Sequence, residues 1–185
     1  MKRPTLFGGS FDPFHSGHQT IALAAVAAGF HPLFVVPAHQ VSGKSLPIAS
    51  GEDRLSMSRL AVEGMEGVEV SSEEIDRGGI SYTVDTIRRL AARFPACRPA
   101  LLLGGDAALS LPTWREGKAL MALADILVAL RPGYPAPPFP ATTLAIPPLS
   151  LSASSLRQIL ERGEDPGEAL HPAVWSHIHL RGLYT

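Results

Sequence analysis

Short runs of nearly continuous apolar residues recur along this chain, each followed by a longer stretch with helical spacing, and that alternation constrains the fold more than any other feature. A strand that is apolar at every position must be covered on both faces, as in a parallel sheet with helices on each side. The runs predict strands at Thr5 to Phe7, Leu33 to Val36, Val68 to Val70, Ala100 to Leu103, Ile126 to Leu130 and Thr143 to Ile146. Helices are predicted from about Ser16 to Ala28 and over 51–64, 82–93, 115–124, 153–162 and 172–180. The expected fold is α/β, a doubly wound Rossmann-like parallel sheet with helices on both faces and its ligand at the carboxyl ends of the strands. With 185 residues, no internal repeat and no linker, the chain 1–185 reads as one domain. The Pro-rich stretch Arg131 to Pro140 comes nearest to a linker and reads as a stiff surface loop.

The first strand runs into residues 8 to 18, Gly-Gly-Ser-Phe-Asp-Pro-Phe-His-Ser-Gly-His. Gly8 and Gly9, without a Cβ, are expected to let the backbone turn tightly and bring N–H groups against an anion. Pro13 would stop the strand, and Ser16 would cap a helix whose positive end faces the same crevice. His15 and His18, three apart, would leave the first helical turn on one side. Two imidazoles that can be protonated, beside backbone donors, suit a polyphosphate whose charge shifts during reaction. In isolation a His-x-x-His also reads as a metal pair or as ordinary helix-start histidines. The stretch is neither the dinucleotide fingerprint nor the lysine-containing P-loop.

Other segments bring polar groups to strand ends and helix starts. The loop Pro37 to Ser50 carries Lys44, a mobile point charge that could reach a triphosphate or simply be a surface lysine. Gly79 to Thr86 places hydroxyls at a helix start, which by itself is an ordinary cap. Gly104, Gly105 and Asp106 occupy a second strand end, where a carboxylate can meet ribose hydroxyls, help position magnesium-bound phosphate or cap a helix. Trp114 offers a face for ring stacking or for the core. Leu151 to Arg157 puts hydroxyls and an arginine in the first turn of a helix, an anion site or a plain cap.

Residues 8 to 18 resemble the phosphate-binding signature of the nucleotidyltransferase superfamily, with its His-x-Gly-His motif at residues 15 to 18, and in particular that of bacterial nicotinate mononucleotide adenylyltransferases. The resemblance extends to Ser81-Tyr82-Thr83 through Thr86, to Gly104-Gly105-Asp106 with Trp114, to Ser152 through Arg157, and to the Gly-Leu-Tyr ending at 182–184. Where the family has a Pro-Pro-His-Lys-like loop, this chain has Val41-Ser42-Gly43-Lys44.

The resemblance implies an enzyme of NAD (pyridine nucleotide) biosynthesis that joins ATP and nicotinate mononucleotide, giving deamido-NAD and pyrophosphate. It implies catalytic roles for His15, His18 and Arg157, and ATP binding by Gly8, Gly9, Ser10, Phe11, Lys44, Gly105, Asp106 and Ser154 as well. It implies that Thr83, Trp114 and the backbone N–H of Arg115 hold the nicotinate end, so that carboxylate is favoured over carboxamide. Mg²⁺ would arrive with ATP rather than on a protein metal site. Nicotinamide mononucleotide and phosphopantetheine adenylyltransferases are the alternatives within the superfamily. A non-catalytic nucleotide sensor on the same fold, or a flavodoxin-like redox module, is the alternative outside it.

A formal net charge of −1 gives no broad basic field for nucleic acid or an anionic membrane, so the partners expected are small molecules. The lone Cys97 cannot form an internal bridge and fits a reducing cytoplasm. The longest helical apolar stretch, Thr20 to Phe30, is too short to span a bilayer. A homo-oligomer is compatible with the sequence.

Overall fold

The computed structural model describes residues 3–43, 45–130, 135–147 and 151–185. The chain runs through β1 (Thr5–Gly9), α1 (Ser16–Ala27), β2 (Leu33–Pro37), β3 (Gln40–Val41), α2 (Gly51–Val62), β4 (Val68–Val70), α3 (Glu73–Arg77), β5 (Ile80–Ser81), α4 (Thr83–Arg93) and β6 (Ala100–Gly104). It continues through α5 (Gly105–Ser110), α6 (Gly117–Leu123), β7 (Asp125–Ala129), β8 (Thr142–Leu144), α7 (Ala153–Glu161) and α8 (Pro172–Arg181).

Six strands form one sheet in the order β4-β2-β1-β6-β7-β8, every neighbouring pair parallel. The two-residue strands β3 and β5 pair separately. Each apolar run serves both faces by alternation. Phe7, Leu33, Val35, Leu102 and Leu127 point into a core with Ile21 of α1, Met57 of α2, Leu156 of α7 and Val174 of α8. Their neighbours Leu6, Phe34, Val36, Leu101 and Val128 point into the opposite core with Ile87 of α4, Ala108 of α5 and Leu120 of α6. The predicted two-faced burial is thus the architecture found. A side chain such as Leu102 or Leu127, each 0% exposed, stabilises the fold by about 1.5–3 kcal/mol.

α4 illustrates the packing. Val84, Ile87 and Leu90 recur at three-residue intervals and are buried, whereas Arg88 and Arg89 face outward. Where the elements differ from those predicted, the causes are local. α3 and α5 span five and six residues, too few to show a helical period. α6 begins at Gly117 rather than at 115 because Glu116 takes a left-handed backbone, φ 54°, through which no helix continues. β8 starts one residue earlier than predicted and ends at Leu144. Of the Pro-rich stretch, residues 131–134 lie outside the described residues, and those following are mostly exposed.

Candidate active site

β1 sits between β2, to which the chain proceeds, and β6, to which it returns later. The winding reverses between β1 and β6, and at such a reversal an open α/β sheet forms its ligand crevice at the carboxyl ends of the strands. Gly8 and Gly9 at one strand end and Gly104, Gly105 and Asp106 at the other are therefore neighbours, as their spacing in sequence predicts.

The turn out of β1 is built differently from the expectation. Gly8 and Gly9 remain in the strand, and the tight turn falls on Phe11, whose φ is +49°. Gly8 is exposed, with Val36 O at 4.0 Å the nearest atom to the place of a Cβ, so an anion can approach the backbone there. At Gly9 a Cβ would lie 2.9 Å from the Phe11 ring, so this glycine makes room for that side chain. Phe11 is buried and edge-on to His18 at 5.0 Å, leaving its backbone as the part a ligand could meet.

His15, not Ser16, is the cap residue of α1, with extended backbone, and Ser16 is the first helical residue. The imidazoles of His15 and His18 stack at 3.8 Å between centroids. The rings of Phe7, Phe11 and Phe14 surround His18. The Nδ1 of His18 accepts the backbone N–H of His15 at 3.2 Å. With Nδ1 as the acceptor, the ring's donor is Nε2.

Behind the imidazoles lies a framework that spacing does not reveal. Arg54, 1% exposed, donates to the carbonyls of Ala49 (3.2 Å), Ser10 (2.7 Å), Ala38 (2.6 Å) and His39 (3.1 Å), tying the ends of β1 and β2 together. Burial pulls its pKa down from the ordinary arginine value, and the nearby Asp12 opposes that. The Asp12 carboxylate accepts the N–H groups of Ile48 (2.8 Å) and Ala49 (3.1 Å) and the hydroxyl of Tyr184 (2.6 Å). Arg157 donates from Nη1 to the backbone oxygen of Asp12 at 2.7 Å, and its Nη2 stands 3.4 Å from Ser154 Oγ. Arg157 is thus delivered beside the His15 and His18 turn. Ser154 lies in the first turn of α7, capped by Ser152.

On the α4 side the segments expected to hold a pyridine ring meet. Arg115 lays its guanidinium over the Tyr82 ring at 4.2 Å, joining the residue after Trp114 to the residue before Thr83. Trp114 is half-buried, and its Nε1–H donates to Ser110 Oγ at 3.0 Å, which fixes the indole plane. In that turn the N–H groups of Trp114 and Gly117 bond to Leu111 O and Trp114 O, whereas the N–H of Arg115 has no hydrogen bond to any described residue. Thr83 opens α4, and Asp106 is exposed in the first turn of α5.

Lys44 lies outside the described residues. In the same loop the Nδ1 of His39 lies 3.0 Å from Gly79 O. A cavity of about 110 Å³ opens under α4 between Phe34, Glu73, Arg89 and Arg93, away from the crevice, and contains none of the donors described above.

Asp12, Arg54 and Tyr184 are absent from the residues expected from sequence. Arg54 left one signal: with Met57, Ser58 and Ala61 it occupies the buried stripe of α2, where an unpaired charge calls for a reason. Asp12 stood inside the first motif and Tyr184 inside the Gly-Leu-Tyr ending, but nothing in either stretch pairs the two.

Comparison with known proteins places the chain in a family. A family model described as cytidylyltransferase-like matches residues 6–159. A Thermus thermophilus protein named probable nicotinate-nucleotide adenylyltransferase is 39% identical over 186 residues, covering 97% of this chain and 97% of the relative. An Aeromonas salmonicida protein of the same name is 35% identical over 211 residues, covering 100% and 98%. The solved Plasmodium falciparum nicotinic acid mononucleotide adenylyltransferase complexed with NaAD matches with a TM-score of 0.82 at 22% identity, over 100% of this chain and 98% of that one. At that identity the likeness shows the fold.

Proposed function

We propose that the chain, which belongs to the nicotinate-nucleotide adenylyltransferase family of cytidylyltransferase-like proteins, transfers the adenylyl group of ATP to nicotinate mononucleotide, giving deamido-NAD and pyrophosphate. An oxygen of the mononucleotide's 5′-phosphate attacks the α-phosphorus, and the bond from that phosphorus to the bridging oxygen of the β-phosphate breaks. The attacking phosphate is already ionised at neutral pH, so no general base is needed. The enzyme's work is to align two anions that repel each other and to offset the charge on the departing pyrophosphate.

The observation that carries this reading is the convergence of Arg157 on the histidine turn, its Nη1 2.7 Å from the backbone oxygen of Asp12. His18 donates from Nε2 toward the triphosphate, a role set by the bond its Nδ1 already accepts. The first N–H groups of α1 and the exposed backbone at Gly8 add donors on the same side. Ser10, Ser154, Gly105 and Asp106 line the ATP side. Among the described residues no group of three His, Cys, Asp or Glu side chains could hold a metal ion. Mg²⁺ comes with the triphosphate in this reading and offsets phosphate charge there.

Trp114 stacks on the pyridine ring, and the unengaged N–H of Arg115 and the hydroxyl of Thr83 meet its carboxylate. A carboxamide would turn an NH₂ toward a donor, so nicotinate is preferred. No helix of the described chain is long and apolar enough to cross a membrane, and the half-buried thiol of Cys97 suits the cytoplasm. Pyrophosphate release from ATP, measured with nicotinate mononucleotide, nicotinamide mononucleotide and phosphopantetheine side by side, tests the reading. Turnover should be fastest with the first. Binding of ATP without pyrophosphate release in any of the three would overturn it.

A further inference from the structure

We propose that Tyr184, which follows α8, is a positioning residue for the transfer: through the Asp12 carboxylate its hydroxyl sets where Arg157 stands. The proposal rests on the functional reading above, which assigns Arg157 to the triphosphate. The tail is built to make this contact. After α8 the N–H groups of Gly182 and Leu183 bond back to His179 O and Ile178 O, turning the chain onto the helix. Tyr184 then takes φ +60°, unusual for a residue with a Cβ, and is only 4% exposed. Its hydroxyl donates to Asp12 Oδ1 at 2.6 Å, joining residues 172 positions apart.

The oxygens of Asp12 show what the hydroxyl does. Oδ1 accepts Ala49 N–H at 3.1 Å and the phenol, and Oδ2 accepts Ile48 N–H at 2.8 Å. Arg157 Nη1 stays 3.8 Å from Oδ2 and bonds to the Asp12 backbone oxygen at 2.7 Å instead. The carboxylate is thus supplied with neutral donors, and the guanidinium stands beside it rather than locked onto it. Burial and the Asp12 bond push the Tyr184 phenol well above its ordinary pKa, so it remains a donor. Without the hydroxyl, a carboxylate only 5% exposed keeps two backbone donors, and the nearest charge able to replace the phenol is Arg157. The guanidinium then closes onto Asp12 and turns away from phosphate.

The test is Tyr184→Phe in the full chain, alone and combined with Arg157→Ala, with thermal unfolding measured on each. Alone, it should raise KM for ATP about tenfold and leave KM for the mononucleotide within about twofold. On the Arg157→Ala background it should add nothing. Asp12→Asn removes the competing charge, so Tyr184→Phe should lose its effect there as well. A fall in Tm with unchanged KM for ATP, or an equal rise in KM with and without Arg157, would overturn the proposal. Calorimetric binding of a non-hydrolysable ATP analogue reads the same contrast without turnover. If the wild-type chain bound the analogue but released no pyrophosphate from ATP itself with any mononucleotide, the functional reading would fail, while the binding contrast would still decide the role of Tyr184. An analogue affinity that Tyr184→Phe left unchanged would overturn the proposal in either case.

Discussion

The Nδ1 of His18 accepts the backbone N–H of His15 at 3.2 Å, so one histidine of the pair is held by the other's main chain. The pair is accordingly more than two imidazoles side by side. The bond orients His18 in the first turn of α1, and the stacked ring of His15 at 3.8 Å limits its rotation.

A preorganised donor is lost in His18→Ala, which should reduce kcat by roughly 10²–10³ with the fold retained. Steady-state pyrophosphate release and circular dichroism on the purified variant measure the two parts. Near-normal turnover would exclude His18 from the transition state.

Trp114 contacts only one of the two substrates in this scheme. Trp114→Ala should raise KM for the mononucleotide about tenfold or more, from stacking worth ~1–3 kcal/mol, with little change for ATP. Equal effects on both substrates would assign Trp114 to packing.

The turn that presents Trp114 depends on Gly117. A Cβ there would lie 2.3 Å from Leu111 O and 3.2 Å from Pro112 O, both backbone atoms that cannot rotate away. Gly117→Ala should cost about 1–3 kcal/mol and raise KM for the mononucleotide as the turn shifts. Unchanged melting and kinetics would show that the turn yields freely.

Arg54 holds four carbonyl oxygens from within the core. Arg54→Met should destabilise by about 3–5 kcal/mol, a drop in Tm on the order of 10 °C, because those oxygens lose their donors. Arg54→Lys should recover little, since one ammonium cannot reach four acceptors arranged around a planar fork.

Acid stability should depend on Asp53. Burial raises its pKa, but hydrogen bonds from the Ser50 hydroxyl, Arg181 and His177 outweigh that and hold it below the ordinary carboxylate value. The folded value being the lower one, the stabilisation is complete above the unfolded pKa of about 3.9 and disappears as pH falls through the folded value. Denaturant titrations of wild type and Asp53→Asn should therefore converge toward low pH. A constant gap down to pH 2 would contradict this.

The sequence by itself determined the sheet and most of its helices, because an apolar run in a two-sided sheet leaves its pattern in consecutive residues. Its contiguous motifs, through the family they resemble, also named the residues proposed for the site: His15 and His18, Gly104 to Asp106, Thr83, Trp114, Arg157. The two-residue strands β3 and β5 and the short helices α3 and α5 escaped because they are too short to repeat the period by which they would be recognised. Only the tertiary structure decided how the site is held. Asp12 meets Tyr184 across 172 positions and Arg157 across 145, and Arg54 reaches Ser10 across 44. A buried hydrogen bond between distant segments leaves no periodic trace, since its partners are chosen by where the folded chain brings them.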